Sequence, residues 1–157
     1  MNVRYITPFI RATQNAFLGL FGNEPHALSP FLVRREEVSD WDISGVIGIA
    51  GETRGVVVLS FPGGLAQELT TMLTGQQKTH LDEEVIDAVG ELVNIIAGNA
   101  KKDLEEFKLM ISLPSIVQGK KHQIAWPSGP IPIVGIPFTT PQGNFNLAVG
   151  LENIITL

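Results

Sequence analysis

Glu91 and Asn94 put an acid and an amide three residues apart, inside a stretch (residues 82–100) whose pattern is helical. At i and i+3 two side chains are neighbours on one helix surface. A carboxylate there can grip a cation. A carboxamide, with an acceptor and two donors on one rigid group, can orient a water. That is sparse chemistry, but a reaction whose main requirement is a placed water needs little more.

The helix that must carry the pair sorts cleanly when residues 84–105 are set at about 100° steps. Val85, Ile86, Val89, Leu92, Val93, Ile96, Ala97, Ala100 and Leu104 form one broad apolar face, while Glu84, Asp87, Glu91, Asn94, Gly98, Lys101 and Lys102 fall opposite. The spacing predicts a start at residues 79–82, with Asp82, Glu83 and Glu84 at the positive end of the helix dipole and Lys101 and Lys102 toward the negative end. Gly90 and Asn94 are poor helix formers, so helix stability alone would not select them. Ile95 projects between Glu91 and Asn99, where it would be an apolar contact beside the polar pair. From periodicity alone, however, a Glu and an Asn on a solvent face are ordinary solvation.

Around this helix the chain alternates. Thr7 as a cap and Pro8 in the first turn open a helix closed by Gly19 or Gly22. Strand-like runs follow at 31–34, 43–50 and 55–61, the last two joined through residues 51–54; Val56, Val57, Val58 and Leu59 are apolar throughout, as in a strand buried on both faces. Pro62, Gly63 and Gly64 break that strand before a short helix over 65–73, stopped by Gly75. The last third is expected to form strands at 109–113, 123–125, 133–138 and 145–151. Its prolines keep several of them short or at edges. This order gives an α+β or α/β domain in which helices cover a mostly antiparallel sheet.

Composition sets limits. With 157 residues, 44% hydrophobic and 17% charged, the chain is large enough for one substantial core. A formal charge of −5 argues against nucleic acid as the main partner. The absence of cysteine removes disulfides, thiolate metal sites and cysteine nucleophiles, and fits a reducing cytoplasm. Residues 1–8 lack a signal-peptide layout, and no apolar run approaches the roughly 20 residues of a membrane span. The sequence reads as a soluble cytoplasmic protein with no metal of its own. His26, His80 and His122 show no metal-ligand spacing and read as surface or capping residues; Trp41 and Trp126 read as core or edge packing. None of the serines sits in a nucleophile elbow.

The run Glu91, Leu92, Val93, Asn94, Ile95, followed by Gly98, Asn99 and Ala100, resembles the signature helix of the CheC/CheX/FliY chemotaxis phosphatases. So do the opening Pro8, Phe9, Ile10, Ala12, Thr13 helix, the strand from Gly55 through Val57 and Leu59 to Phe61, the 133–138 strand, and the ending with Gly143, Phe145, Leu147 and Val149. The resemblance covers nearly the whole of residues 1–157 as a single domain. It implies an α+β, CheC-like fold: a mostly antiparallel sheet covered by an N-terminal helix, a short helix and the long signature helix. CheC-type members carry two Glu-x-x-Asn helices. Here the first helix has Ala12 where the acid would stand, three residues before Asn15, and a single motif resembles the CheX branch, whose members are homodimers. The implied activity is removal of phosphate from the aspartyl phosphate of a CheY-like response regulator, with Asn94 orienting the attacking water and Glu91 forming a salt bridge to the regulator's active-site lysine. Asp87, Ile95 and Gly98 would border the docked regulator, and Mg²⁺ would sit on the regulator. The rival from another class is a non-catalytic, receiver-binding or flagellar-switch-like adaptor domain on the same fold.

Overall fold

The computed structural model describes residues 3–156. Met1 and Asn2, the first residues of the segment read for a signal layout, lie outside them. In chain order the elements are α1 (Thr7–Phe21), β1 (His26–Ala27), β2 (Phe31–Leu32), β3 (Ile43–Ala50), β4 (Gly55–Phe61), α2 (Gly63–Thr74), α3 (Glu83–Lys102), β5 (Met110–Ile111), β6 (Ser115–Gln118), β7 (Val134–Thr140) and β8 (Gly143–Leu151). The strands form one sheet in the order β1-β7-β8-β4-β3-β5, with β2 also on β7 and β6 also on β3. Each of these strand pairs is antiparallel. This is the α+β architecture the sequence implied.

β4 lies in the middle of the sheet and all seven of its residues are buried. Its β-branched run suits a strand packed on both faces. Val57, Leu59 and Phe61 belong to the main core under the helices, whereas Val56 and Val58 join Ile131, Ile133 and Ala148 in a smaller cluster on the opposite face. On the helix side Phe145 is the hub. It stacks on Phe17 of α1 at 4.6 Å and on Phe138 at 5.1 Å between ring centroids. On the other side the sheet is covered by chain with little regular structure, from residues 31–41 and 119–133. Arg35 holds these two segments together, its guanidinium donating to the carbonyls of Pro127 and Ile131.

Several boundaries differ from the sequence reading. Thr7 is the first helical residue and its hydroxyl donates to the Val3 carbonyl; Ile6 occupies the cap position without a side-chain bond. Gly22, at φ 77°, ends α1, and Gly19 lies within it. α2 starts two residues earlier than expected because the Asp42 carboxylate accepts the Gly63 N–H at 2.7 Å. That cap comes from 21 residues upstream, where no local pattern reveals it. Residues 123–125 form no strand, and β6 takes the place beside β3 instead. The 31–34 and 109–113 runs shrink to two paired residues each. β7 and β8 extend to meet at a tight turn, where the Thr140 hydroxyl accepts the N–H groups of Gln142 and Gly143.

Candidate functional site

α3 begins at Asp82, whose carboxylate accepts the Val85 N–H at 3.0 Å. This satisfies one of the donors a helix start leaves open. The Lys78 ammonium sits 3.1 Å from Asp82 and 2.5 Å from Glu84. The Asp82 carboxyl is held below the ordinary aspartate range, first by the Val85 N–H and then by Lys78. Lys78 is raised above the ordinary lysine range by Glu84 and then Asp82. Together these fix where the helix starts, and so the phase of every side chain after it.

Val85, Val89, Leu92, Val93, Ile96, Ala97 and Ala100 are buried, each large apolar side chain contributing about 1.5–3 kcal/mol. The helix lies close to β3 because Gly45 has no side chain. A Cβ there would stand 2.9 Å from Val93 Cγ1 and 3.3 Å from the Val89 carbonyl. With that face fixed, Asp87, Glu91, Asn94 and Gly98 share an arc of about 60° on the outer side. Asp87 and Glu91 are exposed, while Asn94 and Gly98 are half-buried. Among the described residues Glu91 enters no ion pair, and the Asn94 side chain makes no hydrogen bond. Both remain available to a visitor. A Cβ at Gly98 would meet nothing within 4 Å, so packing inside this chain does not require glycine there.

Ile95 lies about 40° past Glu91. It is half-buried and packed against the main core, so its exposed part borders the polar face. Sequence reasoning missed a different cluster. His122 is 8% exposed, and its Nε2 lies 2.7 Å from the Ser44 hydroxyl, which lies 2.6 Å from that of Ser60. These partners are up to 78 residues apart, and only the register of β3 against β4 brings the serines together. Among the described residues no group of three or more His, Cys, Asp or Glu is placed to hold a metal ion. No described helix is long and apolar enough to cross a membrane.

The family model described as chemotaxis phosphatase CheX matches residues 43–139, more than half of the chain. The CheY-P phosphatase CheX of Thermotoga maritima is 28% identical over 127 residues, covering 79% of this chain and 81% of that protein. The crystal structure of the chemotaxis protein CheX from Vibrio vulnificus is 32% identical, with a TM-score of 0.84 over 94% of this chain and 99% of that one. The CheX of the CheX–CheY–BeF₃–Mg²⁺ complex from Borrelia burgdorferi shares the fold at 22% identity. Its TM-score is 0.79, over 97% of this chain and 100% of that one.

Proposed function

Because this chain belongs to the family of the chemotaxis phosphatase CheX, we propose that it hydrolyses the aspartyl phosphate of a CheY-like response regulator, using Asn94 and Glu91 on the outer face of α3. The observation that carries the reading is the uncommitted pair itself: an acid and an amide on a rigid helix, with no partner among the described residues, flanked by an open Gly98.

An aspartyl phosphate is an activated acyl phosphate. Its hydrolysis breaks the bond between the phosphorus and the aspartate oxygen while a water oxygen bonds to phosphorus. The aspartate leaves as a carboxylate, and the water's proton passes to the phosphate or to solvent. Little covalent chemistry falls to the visiting protein, so positioning and electrostatics carry the step. The Asn94 carboxamide accepts a hydrogen bond from that water and donates one beside it, holding it in line with the phosphorus. Glu91 pairs with the regulator's active-site lysine and registers the helix over the phosphoryl group. Asp87, Ile95 and Gly98 border the contact, and the missing side chain at Gly98 lets the partner's backbone come close.

Mg²⁺ belongs to the regulator in this reading, which the Borrelia burgdorferi complex supports by containing CheX, CheY, BeF₃ and Mg²⁺ together. The assembly is a homodimer in the cytoplasm; the exposed Leu28, Phe31 and Leu32 at the β1/β2 edge are apolar surface such an assembly would cover. The test is to add catalytic amounts of protein to a phosphorylated CheY-like regulator and follow phosphate release. Acceleration by wild type, lost in Asn94→Ala with binding retained, supports a phosphatase. Acceleration unchanged in Asn94→Ala discards the assigned role, and binding without any acceleration by wild type favours the adaptor reading.

A further inference from the structure

We propose that the sheet face opposite the helices holds a separate binding site for a small, neutral aromatic molecule bearing one hydroxyl group. Strand alternation keeps this site apart from the Glu91/Asn94 helix. Val57, Leu59, Leu147 and Val149 point to the helix side, whereas Val58, Ser60, Asn146 and Ala148 line a cavity of about 280 Å³ on the other.

The walls are apolar and aromatic. Trp41, Trp126 and Phe31 enclose the space over a floor of Val58 and Ala148. The Phe31 ring rests on Gly135, where a Cβ would stand 2.3 Å from its Cζ, so glycine is what seats this wall. The volume lies just below the roughly 300–1,000 Å³ of small-molecule sites, which limits the occupant to one or two rings.

The inner end is polar. Asn146 is 7% exposed, and its Oδ1 has no hydrogen-bond partner among the described residues. Buried acceptors are rarely left this way. Following the protons shows why the chain does not satisfy it. The Gly119 carbonyl, 2.9 Å from His122 Nδ1, can only accept, so Nδ1 carries the hydrogen. With Nε2 accepting from Ser44, the Ser44 oxygen accepts from Ser60. The single Ser60 proton is therefore directed at Ser44, away from Asn146, although the two residues are direct partners across β4 and β8. On the other side Asn146 faces Pro137, which has no side-chain donor. The Asn146 Nδ2, which also has no hydrogen-bond partner among the described residues, is left to donate and the Ser60 oxygen to accept, so the occupant needs a hydroxyl, which can do both.

Charge settles the rest. Arg34 and Glu37 line the cavity but face one another at 3.7 Å on the exposed rim. Asp40, also exposed, completes the mouth, so the enclosed part carries no charged group and selects a neutral ligand.

The chain has two tryptophans, and both stand in this wall, so intrinsic tryptophan fluorescence reports on the cavity alone. The full chain is titrated with 4-methylphenol and with p-xylene, which keeps the shape and lacks the hydroxyl. The expected result is a saturable change with 4-methylphenol and roughly tenfold weaker binding of p-xylene. Asn146→Leu should bring the two ligands to within about twofold of each other, the carboxamide being gone. Val38→Phe, on the exposed rim, should block both without touching the sheet, so the proposal stays testable even where Asn146→Leu fails to fold. No saturable change in wild type, equal affinity for the two ligands, or unaltered binding in Val38→Phe would overturn the proposal. Regulator turnover plays no part in the readout, so this reading and the phosphatase reading fail independently.

Discussion

α1 and α3 lie side by side on one face of the sheet, and each places an asparagine three residues after a reference position: Ala12 and Asn15 in α1, Glu91 and Asn94 in α3. The spacing is the same and the phase is not. Ala12 is 4% exposed and packs in the core with Phe9, Ala16 and Phe17, while Asn15 is exposed. In α3 the acid is exposed and the amide half-exposed on one outer arc. The lesson is that a two-residue motif acquires meaning from its rotation about the helix axis. α1 does not merely lack an acid; an acid at its position 12 would point into packed side chains.

The strongest challenge to this contrast is Asn94→Ala. We expect regulator dephosphorylation, followed as phosphate release, to fall roughly 10²–10³-fold, with affinity for the phosphorylated regulator little changed. Retained turnover would make α3 no more special than α1. The converse substitution, Ala12→Glu, should cost about 3 kcal/mol or more in urea denaturation, because it buries an unpaired carboxylate. Turnover should not rise. A stable and faster Ala12→Glu protein would mean that spacing alone suffices. Glu91→Ala is expected to weaken regulator binding about tenfold, measured by calorimetry against the beryllofluoride-loaded regulator, while thermal stability stays put.

Gly98→Ala sharpens the contrast from the other direction. The position is open within the chain, so alanine should raise stability by about 0.5–1 kcal/mol while docking weakens. Improved stability with unchanged docking would remove Gly98 from the interface. The smallest effect is expected for Asp82→Ala, read as the melting midpoint against pH. The native carboxyl titrates below its unfolded range, so its stabilisation is complete above that range and is lost as pH falls through the lowered native value. Lys78 titrates above its unfolded range, so its share is complete below that range and is lost only as pH rises through the raised native value. The deficit of Asp82→Ala should therefore be full near neutrality and fade below about pH 4. A deficit independent of pH would separate the cap from its charge.

What the sequence discloses follows from the range of the forces involved. α3 is legible because its periodicity, its Asp82 cap and its flanking charges all act within a few residues. β4 is legible because a run of β-branched residues has few other uses. Residues 123–125 offer a single β-branched residue, and Ile124 packs onto the second face of the sheet instead of pairing in it. Hydrophobicity reports burial and not the hydrogen-bonded neighbour. β6 is hidden by its length of four residues. His122 reads as a surface residue in the sequence because its burial depends on Ser44, 78 residues away. On the candidate site, periodicity finds the shared face of Asp87, Glu91, Asn94 and Gly98. Ile95 is harder to place because its flank position is decided by how closely the core packs beneath it.

The bridge made by Arg35 has a consequence for how the molecule opens. Its two carbonyl partners are 92 and 96 residues away in sequence, and they join stretches outside the main strand ladders. The cover over the second face is thus fastened by this side chain and by two backbone bonds, from the Val33 N–H to the Ile133 carbonyl and from the Ser39 N–H to the His122 carbonyl, whereas β4 is secured on both edges by β3 and β8. In amide hydrogen exchange the two covering stretches should therefore lose protection together, as one cooperative unit, well before the central strands. Arg35→Ala should loosen that unit, so that both stretches exchange faster while the interior of the sheet keeps its own rate.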